Sequence, residues 1–339
     1  MSKRDVSHKL IVEGVETKTR VDSYIAKTIE NITRTLVTDK DTQIFVDGKS
    51  VKNSTKVKND QTIEIKYTET LYEGIEGEDI KLKVLYEDDN MLVINKEQGL
   101  IVHPGANNFE HTLVNALVFR YGEDFVARFY DENNISTEEM ALMRPGIVHR
   151  LDKDTSGTMV IALNKESQLN LSTQFKERET NKVYIALVKG HFTHRRGKII
   201  TNIVRDSKER KKYTTCEKNK GKTADTSYFV LKQYTGYALV RISIHTGRTH
   251  QIRVHFKSIN HPVLGDPLYS NKDKNFPEAS LMLHALQLEV TNPKTDKLMR
   301  FRAAMPDRFK RVIEQLDHFV REKGQSKKYY ESAEKIRNK

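Results

Sequence analysis

Cysteine is nearly absent from this chain of 339 residues, Cys216 being alone. Its solitude excludes an intramolecular disulfide framework and any zinc cluster built on cysteines. Lys212 and Lys218 flank it and would lower a thiol's pKa, but no histidine lies close in sequence to serve as its base, so it reads as a bystander. Long apolar runs are missing as well. No stretch approaches the roughly 18 consecutive apolar residues of a membrane-spanning helix. The opening decapeptide, Met1 to Leu10, has no apolar centre of the kind a secretory leader needs. A cytoplasmic protein with no membrane partner is therefore expected. Acidic residues are in deficit: 46 Asp and Glu stand against 58 Lys and Arg, a formal net charge of +12. Such a surface favours a polyanion, because each phosphate met by Lys or Arg releases a condensed counterion.

What is present suits an ordinary core under a heavily charged surface, with 37% hydrophobic and 31% charged residues. The length suits two domains and a tail. Within residues 1–68, Val21, Ile25 and Ile29 recur at helical spacing, and 43–51 holds two β-rich runs around Asp47-Gly48, a tight-hairpin dipeptide. Residues 62–67 alternate as a half-buried strand does. Residues 69–79, with Gly74 and Gly77 among acidic residues, read as a linker. From 80 to 308 strands dominate, at 83–86, 91–94, 158–163, 183–188, 227–231 and 238–244. Helices interrupt them at 112–119 and, after the N-cap Asn164, at 166–178. Strands with occasional inserted helices predict an α+β domain on a mixed, largely antiparallel sheet with flanking helices. In 309–339, an apolar stripe of Phe309, Val312, Ile313, Leu316 and Phe319 predicts a helix, followed by a basic tail.

One loop carries chemistry. Between Pro145-Gly146 and Ser156-Gly157, it displays His149, Arg150, Asp152, Lys153 and Asp154 just before a strong strand. Arg144, Arg150 and Lys153 would keep Asp152 ionised, as a nucleophilic carboxylate requires, and would attract a phosphate backbone. Charge alone fits a salt-bridged surface loop better. A second segment, 246–256, alternates like a strand, with Ile252, Val254 and Phe256 on one face and Thr249, Gln251, Arg253 and His255 on the other. A partly buried Arg253 needs an anion, and Asp152 is the candidate. A charge-decorated exposed strand is the alternative.

These segments closely resemble the RluA/RluD family of pseudouridine synthases. The resemblance covers most of the chain: Gly99 to Gly105, His149 to Gly157, Lys182-Val-Tyr184, Gly221 to Ala224, Gly247 to His255 and His261 to Pro267, in the family's order. It implies isomerisation of uridine to pseudouridine in structured RNA, most of all large-subunit ribosomal RNA, by a monomer without cofactor or metal. In that likeness Asp152 is the essential carboxylate, Tyr184 stands beside the uracil, Arg253 pairs with the aspartate, and Arg150 fills the gap left by the flipped nucleotide. His149, Arg248, Lys211 and Lys212 are expected at the RNA. Residues 1–68 resemble an S4-type RNA-binding domain, in which Arg34 is the remaining basic contact beside Asp39 and Asp41. Glu97 stands where the family has proline.

Two other classes bear on the same residues. A non-catalytic RNA-binding factor has no use for Asp152, Tyr184 and Arg253 together, and a nucleoside glycosidase needs a second carboxylate, for which only Asp154 is near. His245, His250 and His255 do not suit a metal site, since a strand would place His250 opposite the other two.

Overall fold

The computed structural model describes residues 2–322 apart from 16, 30, 31, 33, 72–74, 105–109, 123, 130–143 and 218; the expected tail, 323–339, and Lys218 lie outside the described residues. The chain divides into two units, the first containing Met1–Ile75 and the second beginning at Glu76.

In the first unit, β1 (Ser2–Ile11) runs antiparallel to β6 (Thr62–Leu71) along their whole lengths, from Ser2↔Leu71 to Ile11↔Thr62. β3 (Gln43–Val46) pairs with the other side of β6, and β4 (Lys49–Ser50) completes the sheet. Asp47 and Gly48 take φ of 48° and 76°, the left-handed pair that a two-residue hairpin needs, as their sequence predicts. β2 (Thr19–Arg20) and β5 (Lys56–Val57) form a short separate pair. The helices α1 (Val21–Thr28) and α2 (Arg34–Val37) close a core of Val21, Ile25, Val37, Ile44, Ile63 and Ile65. Two boundaries differ from the sequence reading. β1 is an added strand, and β6 extends through Leu71, so the first three residues of the expected linker are paired to it.

The second unit is an α+β layer structure on a mixed, mostly antiparallel sheet. Its strands are β7 (Val84–Glu87), β8 (Met91–Lys96), β9 (Ser156–Ala162), β10 (Asn181–Lys189), β11 (Arg196–Arg205), β12 (Tyr213–Cys216), β13 (Lys222–Tyr234), β14 (Tyr237–Ile244), β15 (Leu283–Thr291) and β16 (Leu298–Arg302). They lie in the order β12-β11-β13-β14-β10-β15-β9-β8-β7, with β16 on β15. Only the β15–β9 pairing is parallel among the described strands. Every residue of β9 is buried, which fits its unbroken apolar run. Gly157 is dictated by that parallel contact: with φ of 123°, a Cβ there would lie 2.2 Å from the Ala285 carbonyl oxygen.

Helices form where caps and stripes place them. α3 (Leu113–Tyr121) starts at Thr112, which makes a reciprocal capping box with Asn115. The short α4 (Asp124–Ala127) follows it. In α5 (Lys165–Glu177), the Asn164 side chain accepts from the Ser167 amide at 2.9 Å, and Arg178 ends the helix in the left-handed region. α7 (Asp307–Glu322) buries Phe309, Val312 and Leu316, although Phe319 stays exposed. The expected strand at 246–256 is instead a turn followed by α6 (Gln251–Ser258). Gln251 through Phe256 are all buried, so the helix is enclosed on every side. An enclosed helix needs no single apolar stripe, which is why alternation misled.

Candidate active site

The loop before β9 is pinned through its backbone. The Thr155 amide donates to the Asp152 carbonyl at 3.0 Å, closing a tight turn. The Lys153 carbonyl accepts from the Gly99 amide at 2.9 Å and from Lys96 Nζ at 3.0 Å. Lys96 is fully buried, and its other two protons go to the carbonyls of Glu97 at 2.9 Å and Leu100 at 2.7 Å. Burial brings its pKa down to about 7, against the opposing pull of Asp152 and Asp154. The Gln98-Gly99 turn that delivers these groups forms with Glu97 in the place of proline.

Asp152 therefore stands on a fixed turn with its side chain 20% exposed. The cation that meets it comes from α6: Arg253 Nη1 donates to Asp152 Oδ2 at 3.1 Å. Arg144 and Lys153, expected around the carboxylate, do not take this role; Lys153 is exposed. Arg253 is itself gripped by a second carboxylate. Its Nε and Nη2 donate to the two oxygens of Asp266 at 2.7 and 2.9 Å, and the Asp266 side chain is 0% exposed. Burial would lower the guanidinium's pKa, but the hydrogen bonds and charges of Asp266 and Asp152 overcome it and hold the group firmly protonated. Asp266 also accepts the Leu268 and Tyr269 amides at 2.9 and 3.0 Å, so it is fully engaged. Sequence reasoning found the Asp152–Arg253 pairing but not the Asp266 fork, although Asp266 lies in the quoted 261–267 motif.

Tyr184 reaches the same place from β10. The β10–β15 register shifts between Val183 and Tyr184, with Leu286 of β15 the extra residue, while the β10–β14 pairing runs through Tyr184 without a break. Its ring is buried, and burial, with Asp152 adding to it, raises its hydroxyl pKa far above the ordinary phenol range. A cavity is lined by Asp152, Tyr184, Arg253, Arg150, Arg248 and His250. Arg150 is exposed, with Nη1 at 3.4 Å from Nε2 of the buried His103, whose pKa burial brings to about 4, helped by Arg144 and Arg150. Arg248 donates through Nε to the Thr223 carbonyl at 3.0 Å. Its amide is held by Gln251 Oε1, which also accepts from Thr246.

The other expected RNA residues are elsewhere. His149 is committed to the fold: its Nε2 accepts from the Val160 amide at 3.0 Å and its ring stacks on Phe175 at 4.4 Å. Burial lowers its pKa to about 3. Lys211 is exposed in the turn between β11 and β12, and Lys212 pairs with Glu209 at 2.8 Å. Arg34 opens α2, its side chain lying outside the described residues. The histidine spacing also resolves differently from a strand. His245 is exposed, His250 caps α6, and His255 is buried within it, bonded to Thr201 and Thr226.

The site thus sets a carboxylate, one oxygen clasped by a buried guanidinium, on a rigid turn in a cavity shared with an aromatic ring. Residues 90–258 match the family described as RNA pseudouridylate synthase. The ribosomal large subunit pseudouridine synthase D of Borreliella burgdorferi is 37% identical over 300 residues, 87% of this chain and 88% of its own. An uncharacterized RNA pseudouridine synthase of Aquifex aeolicus is 38% identical over 318 residues, 90% of this chain and 96% of its own. Among solved structures, human RNA pseudouridylate synthase domain containing 1 matches with a TM-score of 0.52 at 25% identity, covering 71% of this chain and 96% of that one. The chain belongs to the RluA/RluD family of RNA pseudouridine synthases. It is an isomerase that converts uridine to pseudouridine in RNA.

Proposed function

We propose that this synthase modifies large-subunit ribosomal RNA and that Asp152 is its catalytic carboxylate. The observation that carries the second part is the asymmetry of Asp152: Oδ2 is bound by Arg253, while no described residue donates to Oδ1 inside the cavity it shares with Tyr184. The reaction breaks the bond from N1 to the sugar carbon, turns the uracil while it stays bound, and joins C5 to the same carbon. Oδ1 either takes up the sugar carbon or removes a sugar proton to give a glycal. Tyr184 stacks on the uracil, a contact worth about 1 to 3 kcal/mol, and Arg150 occupies the space the base leaves. The isomerisation consumes no water and transfers no net electrons, so neither a metal-activated hydroxide nor a redox cofactor is called for. Asp154 does not line the cavity, which disfavours a two-carboxylate glycosidase.

Ribosomal RNA as the substrate is supported by the names of relatives such as the Borreliella synthase. The net charge of +12 supplies the electrostatic means. The exposed Lys211 and neighbouring basic residues of the β11–β12 turn meet RNA phosphates, and residues 1–68 act as an S4-like RNA-binding domain. No described helix is long and apolar enough to cross a membrane. The proposed site of action is the cytoplasm. The test is Asp152→Asn, nearly isosteric and uncharged. Its turnover on a ribosomal RNA fragment should vanish while RNA affinity and thermal stability stay near those of the parent. Measurable turnover by the purified variant rules the assignment out.

A further inference from the structure

We infer that His250 is a positioning residue for this reaction, a neutral imidazole that turns Nε2–H toward Asp152 Oδ2 and, with Arg253, reserves the other carboxylate oxygen for substrate. The inference rests on Asp152 being the catalytic carboxylate. His250 sits where α6 begins, at φ 56° and ψ 17°, a left-handed conformation uncommon for a residue with a side chain and recurrent at functional sites. Its ring lies edge-on to Tyr213 and Tyr269, both centroids at 5.6 Å, so its orientation is fixed from two sides. Nε2 is then 3.9 Å from Asp152 Oδ2, a distance from which a hydrogen bond closes when substrate binds.

The tautomer follows from proton accounting at Tyr269. Its hydroxyl oxygen accepts the Tyr213 amide at 2.7 Å and lies 2.9 Å from His250 Nδ1. A phenol has one proton to give, and Tyr269 is buried. If Nδ1 carried hydrogen, the hydroxyl would accept twice and its own proton would have no acceptor among the described residues. The hydroxyl therefore donates to Nδ1, which leaves the imidazole proton on Nε2, facing the carboxylate. The charged and titratable groups around the ring are Asp152 and Asp266, which draw a proton to it, Arg253 and Arg150, which repel one, and the two tyrosines. Burial outweighs the carboxylates, and the ring's pKa lies below its usual value.

The arrangement serves either chemical route. When Oδ1 bonds to the sugar carbon, the electron pair of the N1 bond leaves with the uracil, and Oδ2 becomes an ester carbonyl oxygen. When Oδ1 instead takes a sugar proton, the C–H pair becomes the glycal double bond, the N1 bond pair leaves with the uracil, and Oδ2 becomes the carbonyl oxygen of the acid. In both cases Oδ2 remains an acceptor for Arg253 and His250, and no proton passes to or from His250.

Three variants and one spectroscopic measurement decide the matter. His250→Asn tolerates the left-handed backbone but is too short to place a donor at Nε2. Its kcat should fall about 10- to 100-fold, as expected for one lost hydrogen bond to a charge, with KM for RNA nearly unchanged. His250→Gln, whose amide reaches the Nε2 position, should recover most of the rate. Tyr269→Phe keeps the ring beside Arg253 and His250 and removes the tautomer lock together with the acceptor of the Tyr213 amide. Only the protonated imidazole then reliably donates, so kcat should rise as pH falls from 8 to 6, a slope that the lost Tyr213 bond alone does not produce. Nitrogen-15 NMR of the parent protein should show His250 as the neutral Nε2–H tautomer at pH 7.5. An Nδ1–H tautomer or an imidazolium there overturns the inference, as does parental kcat in His250→Asn. Turnover by Asp152→Asn would instead bring down the underlying assignment, so the two failures are distinct.

Discussion

Replacing Asp266 with Asn should cost the protein both stability and turnover, because Asp266 is the base of the stack that ends at the reacting oxygen. In the parent, Asp266 Oδ1 accepts Arg253 Nη2, Leu268 N and Tyr269 N, and Oδ2 accepts Arg253 Nε. An amide fills only part of this pattern. If its oxygen keeps the two backbone amides, its NH2 group confronts Arg253 Nε, donor against donor. Losing that one hydrogen bond between charged groups removes about 1.5 to 3 kcal/mol. Measured breakages of buried ion pairs give about 3 to 5 kcal/mol, so the two routes meet near 3. Against a typical total of about 5 to 15 kcal/mol that is a large fraction. At about 2 to 4 °C per kcal/mol for a unit of this size, the melting temperature should drop by roughly 6 to 12 °C. Arg253, released on one side, leans on Asp152, its remaining carboxylate at 3.1 Å. That covers the oxygen meant for substrate, so kcat should fall even well below the melting transition. Calorimetry and tritium release from 5-tritiated uridine in RNA would be read on the same preparation. A melting temperature within about 2 °C of the parent's, with kcat intact, would refute the reasoning.

Arg253→Lys keeps the charge but not the fork that holds two carboxylates at once, so kcat should fall at least tenfold with RNA affinity little changed; a variant that lost only affinity would mark Arg253 as a phosphate contact. His103, His255 and His284 are brought to about 4, and His149 to about 3, in each case chiefly by burial. Their folded pKa values lie below the unfolded 6.5, so the stability they contribute is complete above that pH and lost as pH falls through 6.5 toward 4; calorimetry should show a falling melting temperature and proton uptake on unfolding at pH 5, and an unchanged melting temperature from pH 7.5 to 5 would contradict it. Lys211→Ala should lower the salt-dependence slope of RNA binding by about one without altering kcat, and an unchanged slope would remove the β11–β12 turn from the interface.

The fold was legible wherever one local rule acted alone. Asp47-Gly48 formed its hairpin, Asn164 capped its helix, and the buried run of 158–163 became the interior strand β9. Local rules did not reach pairings that depend on distant partners. β1 owes its existence to β6, some sixty residues away, because a charged run such as Ser2–Ile11 has little strand preference until an edge supplies its hydrogen bonds. β15, unread in the sequence, lies between β10 and β9 in the middle of the sheet. Its buried His284 is tolerable because Ser156 Oγ meets Nδ1 at 2.8 Å, a contact between residues 128 apart, and the Ala303 carbonyl lies 3.5 Å from Nε2.

The site shows a different balance, because an electrostatic requirement survives an error in secondary structure. Segment 246–256 was read as a strand and proves to be a turn and helix, yet Arg253 still meets Asp152. Its need for an anion arises from burial, which the sequence left open beside an exposed, charge-decorated strand. The reading stopped at one carboxylate because two partners for one guanidinium cannot be told from one by charge. Geometry separates them: the fork of Asp266 fixes Arg253 in place, and the remaining nitrogen, Nη1, is left to orient Asp152. Lys96 was harder still to foresee. A lysine at the end of a strand is ordinarily solvated, and only the convergence of the carbonyls of Glu97, Leu100 and Lys153 makes its burial tolerable. Those carbonyls come from the 97–100 turn and from the loop that carries Asp152, so the buried ammonium joins the two while the Asp266–Arg253 pair holds the carboxylate. The reacting oxygen is left free because the guanidinium that reaches Asp152 is held by Asp266 so that it meets only Oδ2.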